Sequence, residues 1–204
     1  MELIENEHPE ITLPCMGMVT SYMEFQRVVI KSFPGKSLNA ASGGDPADLG
    51  SLGSINLDVQ SFEPSTGLRF ENTKNYVNGS VLNIPFSPCE FDTVILGELL
   101  EHCTKERAIQ VIKECSRVLV RGGVLGITVP LDGLAFVRRC KDPTWKDPRG
   151  DYVDGISHEH QSWWLDEDLA EFRAAGGFAE IHRSGIYYFG LYPMGGWGLV
   201  WRRI

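Results

Sequence analysis

The stretch NIPFSPCEFDTVILGELLEHCTKERAIQVIKECSRVLVRGGVLGITVP, running from Asn83 to Pro130, decides the fold. Residues 91–96 (FDTVIL) form a short run rich in apolar and β-branched side chains, which reads as a buried strand, and residues 124–129 form a second. Between them Ala108, Val111, Ile112, Cys115, Val118 and Leu119 recur at helical spacing. Thr104 suits the N-cap of that helix, and Gly122-Gly123 is expected to end it. A strand, a helix and a further strand in immediate succession make the repeating unit of a parallel sheet.

The same alternation extends outward from this core. Strands are expected at 37–41, 55–59 and, weakly, 74–77. Upstream, Met18, Tyr22, Phe25, Val28 and Val29 predict a helix over 18–31, outside the main sheet; residues 1–35 are read as an N-terminal extension and helix forming part of a lid. Downstream, 131–164 is an irregular insertion long enough to be a functional wall. A helix capped by Asp166 follows to Ala175 and ends at Gly176-Gly177. Two more strands, 178–189 and 198–204, are joined by a turn over 192–196. The expected fold is α/β: a Rossmann-like, seven-stranded, mostly parallel sheet with helices on both faces and an antiparallel last strand, occupying 36–204.

Composition agrees with one globular domain. The chain has 204 residues, 43% of them hydrophobic, enough for a substantial core. Its formal net charge of −8 argues against a protein that coats nucleic acid or an anionic membrane. No apolar run reaches the roughly 20 residues of a membrane span, and the acidic N-terminus is unlike a secretory signal, so a cytoplasmic location is expected. Five scattered cysteines without a C-x-x-C pair indicate neither a disulfide framework nor a structural zinc site. Glycine, at 22 residues, is in surplus and points to tight turns or close backbone approach.

In a sheet of this kind ligands bind beyond the carboxyl ends of the strands. The first strand is followed by Ala40-Ala41-Ser42-Gly43-Gly44-Asp45, and the second ends on Asp58. A glycine turn presents backbone N–H groups, and an acid at the next strand end accepts the two hydroxyls of a ribose. The same pattern also serves as a plain turn and a solvated strand-end cap. The G-x-G-x-x-G fingerprint of a nicotinamide dinucleotide site is absent.

Several motifs stand together in one order: Asn83-Ile-Pro-Phe86, Phe91-Asp92, Leu100-Glu-His102, Arg117-Val-Leu119, Gly122-Gly123 and Val129-Pro130, then His158-Glu-His160 and Ala175-Gly-Gly-Phe178. This series resembles the class I S-adenosylmethionine-dependent methyltransferases, in particular their broad small-molecule, type 11-like group, from about Lys36 onward. The resemblance implies S-adenosylmethionine as cofactor and a small-molecule acceptor, with no nucleic acid or membrane partner. Asn39, Ala40, Ala41, Ser42 and Gly43 would underlie the methionine and ribose, Asp58 would take the ribose hydroxyls, and Val59 would touch adenine. Ser80, Val81 and Leu82 would meet the adenine edge, Leu96 and Gly97 the methionine portion, and His102 would stand beside the cofactor or fix the turn that carries it. The first motif is atypical and short. Where the group has an acid and three glycines, this chain has Asn39, Ala41, Gly43 and Asp45, and Asp58 follows Gly43 by only fifteen positions.

Methyl transfer from a sulfonium is an in-line displacement, so alignment and exclusion of water dominate, and a base helps when the acceptor is a hydroxyl. His158, His160 and Glu98 are the candidate catalytic residues. A metal reading of His158 and His160 with Asp151 and Asp154 is set aside, since spacing fixes no third strong ligand, and no metal is expected. Residues 138–149 carry five basic and two acidic side chains in an acidic chain, which suits either a solvated loop or attraction of an anionic acceptor such as a sugar derivative. The alternative to an enzyme is a catalytically inactive module that keeps the fold as a scaffold or partner-binding surface.

Overall fold

The computed structural model describes residues 21–59, 69, 72–130, 151–153, 156–157, 160–162, 164–187 and 195–204. The strands are β1 (Ser37–Ala40), β2 (Ile55–Asp58), β3 (Tyr76–Asn78), β4 (Phe91–Gly97), β5 (Leu119–Pro130), the short hairpin β6 (Asp151–Val153) and β7 (Ile156–Ser157), then β8 (Phe178–Tyr187) and β9 (Gly195–Arg203). The helices are α1 (Tyr22–Ser32), α2 (Lys105–Val118) and α3 (Asp166–Gly176). The main sheet has seven strands in the order β3-β2-β1-β4-β5-β9-β8. β1 to β5 pair in parallel; β9, last in the chain, runs antiparallel between β5 and β8. The expected seven-stranded, mostly parallel sheet with an antiparallel last strand is thus present. Among the described residues no helix is long and apolar enough to cross a membrane.

The sheet is apolar on both faces because its strands alternate. Leu96, Leu125, Ile127, Leu199 and Trp201 enter one core with α2 and α3, where Val111, Ile112, Cys115 and Phe172 are fully buried. Ile95, Val124 and Val200 enter the other with Phe25, Val29 and Ile30 of α1. Part of the glycine surplus makes that second contact close. A Cβ at Gly97, Gly126 or Gly198 would stand 2.1 Å from Gln26, 3.0 Å from Val29 or 2.5 Å from the Phe25 ring, respectively. Gly126 pairs with Ile95 and Val200, and Thr128 with Gly97 and Gly198, so the three glycines share one face of three adjacent strands. They leave gaps on that face, around Thr128 and between Ile95 and Val200, into which α1 seats, and Gln26 of α1 donates to the Thr128 hydroxyl there. The helix expected outside the sheet therefore packs directly onto it; residues 1–20 of the expected lid lie outside the described residues.

Three boundaries differ from the sequence reading. α2 ends at Val118, with Leu119 as its C-cap, and Gly122-Gly123 lies inside β5. The strand starts earlier than expected because Leu119 pairs with Phe91 before the register shifts at Phe91/Thr93, and Gly122, at φ 78°, absorbs the irregularity. Gly195-Gly196 opens β9 instead of belonging to a turn; residues 192–194 lie outside the described set. Gly177 is the expected helix terminator, at φ 68°, although the N-cap of α3 is Leu165, one residue before Asp166.

Arg117 explains why the motifs keep step. Its guanidinium donates to the carbonyls of Ile84 (2.7 Å) and Phe86 (2.8 Å) and to both Glu114 oxygens, while Glu114 accepts the Ile84 N–H at 2.9 Å. A fork on α2 thereby holds the Asn83–Phe86 turn against the edge of the site. The Glu114 carboxyl is held below its usual range chiefly by the Arg117 hydrogen bonds, against an opposing effect of burial.

Candidate functional site

The site is assembled where β1, β2 and β4 end. After β1 the chain turns through residues with positive φ: Ala41 (57°), Gly43 (53°), Gly44 (80°), Asp45 (58°) and Asp48 (54°). Three of these are not glycine, a concentration of backbone strain typical of ligand loops. The Gly43 N–H donates to Asp58 Oδ2 at 2.8 Å, so the strand-end acid is oriented by the loop it faces. Asp58 is only 8% exposed, whereas Val59 beside it is 39% exposed.

Asp45 holds the loop's far end. It accepts from the backbone N–H of Leu49 and Gly50, each at 2.7 Å, from Asn56 Nδ2 at 3.0 Å and from Asn39 Nδ2 at 3.3 Å. Asn39 also donates to Asn56 Oδ1 at 2.9 Å. This network, with the single 3-10 turn Gly50–Leu52, stands where a longer crossover helix would otherwise link β1 to β2. Asp45 and Asn39 thus build the short crossover, a role that sequence reading did not give them.

Ala40 and Leu96 are fully buried, and Val81 and Leu82 nearly so, with their side chains in the α2 core; toward a ligand they offer backbone. Ser80 Oγ accepts the Leu82 N–H at 3.1 Å and fixes that turn. Ser42 is buried, and its hydroxyl makes no hydrogen bond among the described residues. Beyond Gly97, whose missing Cβ admits Gln26, Glu98 adopts φ 51° and donates its N–H to the Thr128 carbonyl at 3.0 Å. The Tyr22 phenol of α1 is pushed above its usual pKa by burial and by the charge of Glu98, which brings this tyrosine into the site's surroundings. Its place in an apolar helical pattern had marked it only as core.

The turn Leu100–His102 follows, and the return of the insertion is stitched to it. Gln161 N–H and Ser162 N–H donate to the Glu101 carbonyl (2.7 and 3.0 Å), Gln161 Nε2 to the His102 carbonyl (3.0 Å) and Ser162 Oγ to the Cys103 carbonyl (2.7 Å). These bonds bring His160 onto His102, ring centroids 4.8 Å apart and nearly perpendicular. The Glu101 side chain, 2% exposed, lies beside both: its Oε1 is 3.9 Å from His102 Nε2 and 4.0 Å from His160 Nε2. Glu101 was not singled out from sequence; one residue before a histidine, it had no visible reason to be buried. His158, Asp154 and residues 131–150 lie outside the described residues.

The strand order, with an acid at the end of β2 facing the glycine-containing turn after β1, makes a Rossmann-like fold similar to that of known methyltransferases. Residues 56–127 match the family model of a methyltransferase domain. The fold is similar to that of an S-adenosylmethionine-dependent methyltransferase from Methanosarcina mazei, with 14% identity, TM-score 0.62, and 86% of this chain and 97% of that one covered. It is similar to the Burkholderia thailandensis 1,6-didemethyltoxoflavin-N1-methyltransferase, solved with 1,6-didemethyltoxoflavin and S-adenosylhomocysteine bound, with 14% identity, TM-score 0.62, and 89% and 78% covered. It is also similar to a [4+2]-cyclase, with 16% identity, TM-score 0.59, and 89% and 80% covered. No curated protein matches the sequence.

Proposed function

We propose that the protein is an S-adenosylmethionine-dependent methyltransferase acting on a small-molecule acceptor, a sugar or other anionic metabolite. The observation that carries the reading is the Gly43-to-Asp58 hydrogen bond, which holds the strand-end carboxylate at the rim of the loop. The residues present fit the cofactor. Asp45 is engaged with the Leu49-Gly50 turn, so its carboxylate is directed to the crossover. A Cβ at Gly43 would meet nothing within 4 Å, and the buried Ser42 hydroxyl is a polar group awaiting a partner.

Asp58 would hold the ribose hydroxyls, Val59 and the backbone of Ser80–Leu82 the adenine, and the backbone of Ala41–Gly43 and Leu96–Gly97 the methionine part. The bound sulfonium supplies an electrophilic methyl group. The chain's share of the work is alignment and exclusion of water: Glu98, held by its bond to β5, and the insertion, tied down at Gln161 and Ser162, frame the acceptor side. Glu98, His158 and His160 are the residues proposed to act there, and the basic segment 138–149 would favour an anionic acceptor.

Calorimetric titration with S-adenosylmethionine and S-adenosylhomocysteine tests the reading. Saturable binding is expected, weakened at least tenfold by Asp58→Ala, because roughly 1.5–3 kcal/mol attaches to each hydrogen bond to a charged group. Folded protein that gives no heat at millimolar ligand would refute it and favour the scaffold alternative.

A further inference from the structure

We propose that Glu101, His102 and His160 form a site for a first-row divalent transition-metal ion at the carboxyl edge of the sheet. One ligand atom from each residue, a carboxylate oxygen and two imidazole nitrogens, lies within 4.8 Å of the others. Three atoms that share an ion at the usual bond length of about 2.1 Å stand about 3.0–3.6 Å apart, and a trans pair about 4.2 Å. The two carboxylate-to-imidazole separations, 3.9 and 4.0 Å, lie a few tenths of an ångström beyond the first range and are too long for N–H···O hydrogen bonds. Side-chain rotations that draw the three groups together by about half to just over one ångström close the shell.

Burial and anchoring make this a built site. The Glu101 carboxylate is 2% exposed, so bulk water competes little with an ion for it. The two histidines are brought to it by segments 58 residues apart in sequence, and four hydrogen bonds from Gln161 and Ser162 to the carbonyls of 101–103 fix that meeting. Two imidazoles and a carboxylate suit zinc, iron(II), cobalt or manganese better than calcium, which prefers all-oxygen sites. Three protein ligands leave at least one coordination position open, the arrangement of a reactive or substrate-binding centre rather than of a purely structural one. The fitting occupant of that position is a hydroxyl or carboxylate oxygen of the acceptor. The spacing argument that set aside a metal at His158 and His160 looked only to the nearby Asp151 and Asp154, whereas the third ligand comes from the opposite side of α2 in sequence.

The cation site does not depend on methyl transfer, and its test needs no cofactor. Chelator-stripped full-length protein is titrated with Co²⁺, followed by calorimetry and visible absorption, and the bound ion is then displaced with Zn²⁺. One ion per chain and a rise in Tm with Co²⁺ are expected. Glu101→Gln and His160→Ala should each weaken binding at least tenfold, the scale set by losses at ligand shells. His182→Gln, on β8, should leave it unchanged. The His160 side chain is 34% exposed, so its removal is tolerated by the fold, and an unaltered Tm in chelator verifies this. No binding at millimolar Co²⁺ and Zn²⁺, or binding with equal affinity in both variants, would overturn the proposal.

Discussion

Replacing Asp45 by alanine removes the acceptor for four N–H groups, two of them backbone donors at 2.7 Å on Leu49 and Gly50. Both of those residues are buried, so water cannot fully replace the lost bonds. Each bond to a charged acceptor contributes roughly 1.5–3 kcal/mol, and four bonds sharing one carboxylate are not additive, so we expect a loss of about 3–5 kcal/mol. In a chain of this size each kcal/mol corresponds to about 2–4 °C, which predicts a fall in Tm on the order of 10 °C, read by circular dichroism or calorimetry. Asp45→Asn should also destabilise, because its amide would turn an N–H toward another N–H. Affinity for S-adenosylhomocysteine should decline alongside, since Ala41–Gly44 are held from this end. A Tm within about 2 °C of wild type together with lost affinity would refute the reasoning, because Asp45 would then belong to the ligand and not to the crossover.

Two further outcomes follow from local geometry. Ala41→Gly removes a Cβ from a residue at φ 57°, a relief of about 1–2 kcal/mol, against about 0.5–1 kcal/mol for the greater freedom of glycine in the unfolded chain. Denaturant unfolding should show a net gain of up to about 1 kcal/mol, and a loss larger than that would contradict the strain assigned to this loop. Glu114→Gln should lower stability at neutral pH but not in acid: a carboxyl whose folded pKa is depressed by Arg117 stabilises the fold above its unfolded pKa of about 4.5, and that contribution is lost as pH falls through the lower folded value. Tm curves of the two proteins should therefore draw together progressively as pH falls below about 4.5, and a gap that stays constant from neutral pH into acid would refute the fork's role.

Much of the fold was legible because its signals are local. The run 91–96 and the spacing from Ala108 to Leu119 each report burial on one strand or one helix face, which the side-chain period dictates directly. Gly122-Gly123 misled because glycine ends a helix and accommodates a strand irregularity by the same left-handed backbone. Of the candidate site, Gly43 and Asp58 were legible as strand-end residues and prove to be hydrogen-bonded to each other. Asp45 and Asn39 were not legible as the crossover's frame, since their partners, Leu49, Gly50 and Asn56, carry no polar pattern that points back to them. Glu101 stayed hidden for a related reason. Its burial depends on a contact with residues 160–162 that no periodicity encodes. Tyr22 was correctly placed on the inner face of a helix, but only the seating of α1 on three glycines brings that face beneath Glu98.

The bonds from Gln161 and Ser162 to Glu101, His102 and Cys103 have a bearing on how such a chain can diversify. Among the described residues, β5 ends at Pro130, paired with Gly196 in the sheet, and the chain is tied back at Ile156, which bridges to Cys103 and is buried in the core, and at the junction 160–162. None of the described residues between Pro130 and Ile156 pairs with a strand of the seven-stranded sheet. Pro130 and Ile156 therefore act as splice points: a segment transplanted between them would arrive beside the same carboxyl edge of the sheet, and a new ligand preference could be acquired as a cassette while the scaffold beneath it, with the cluster of Glu101, His102 and His160, is inherited intact.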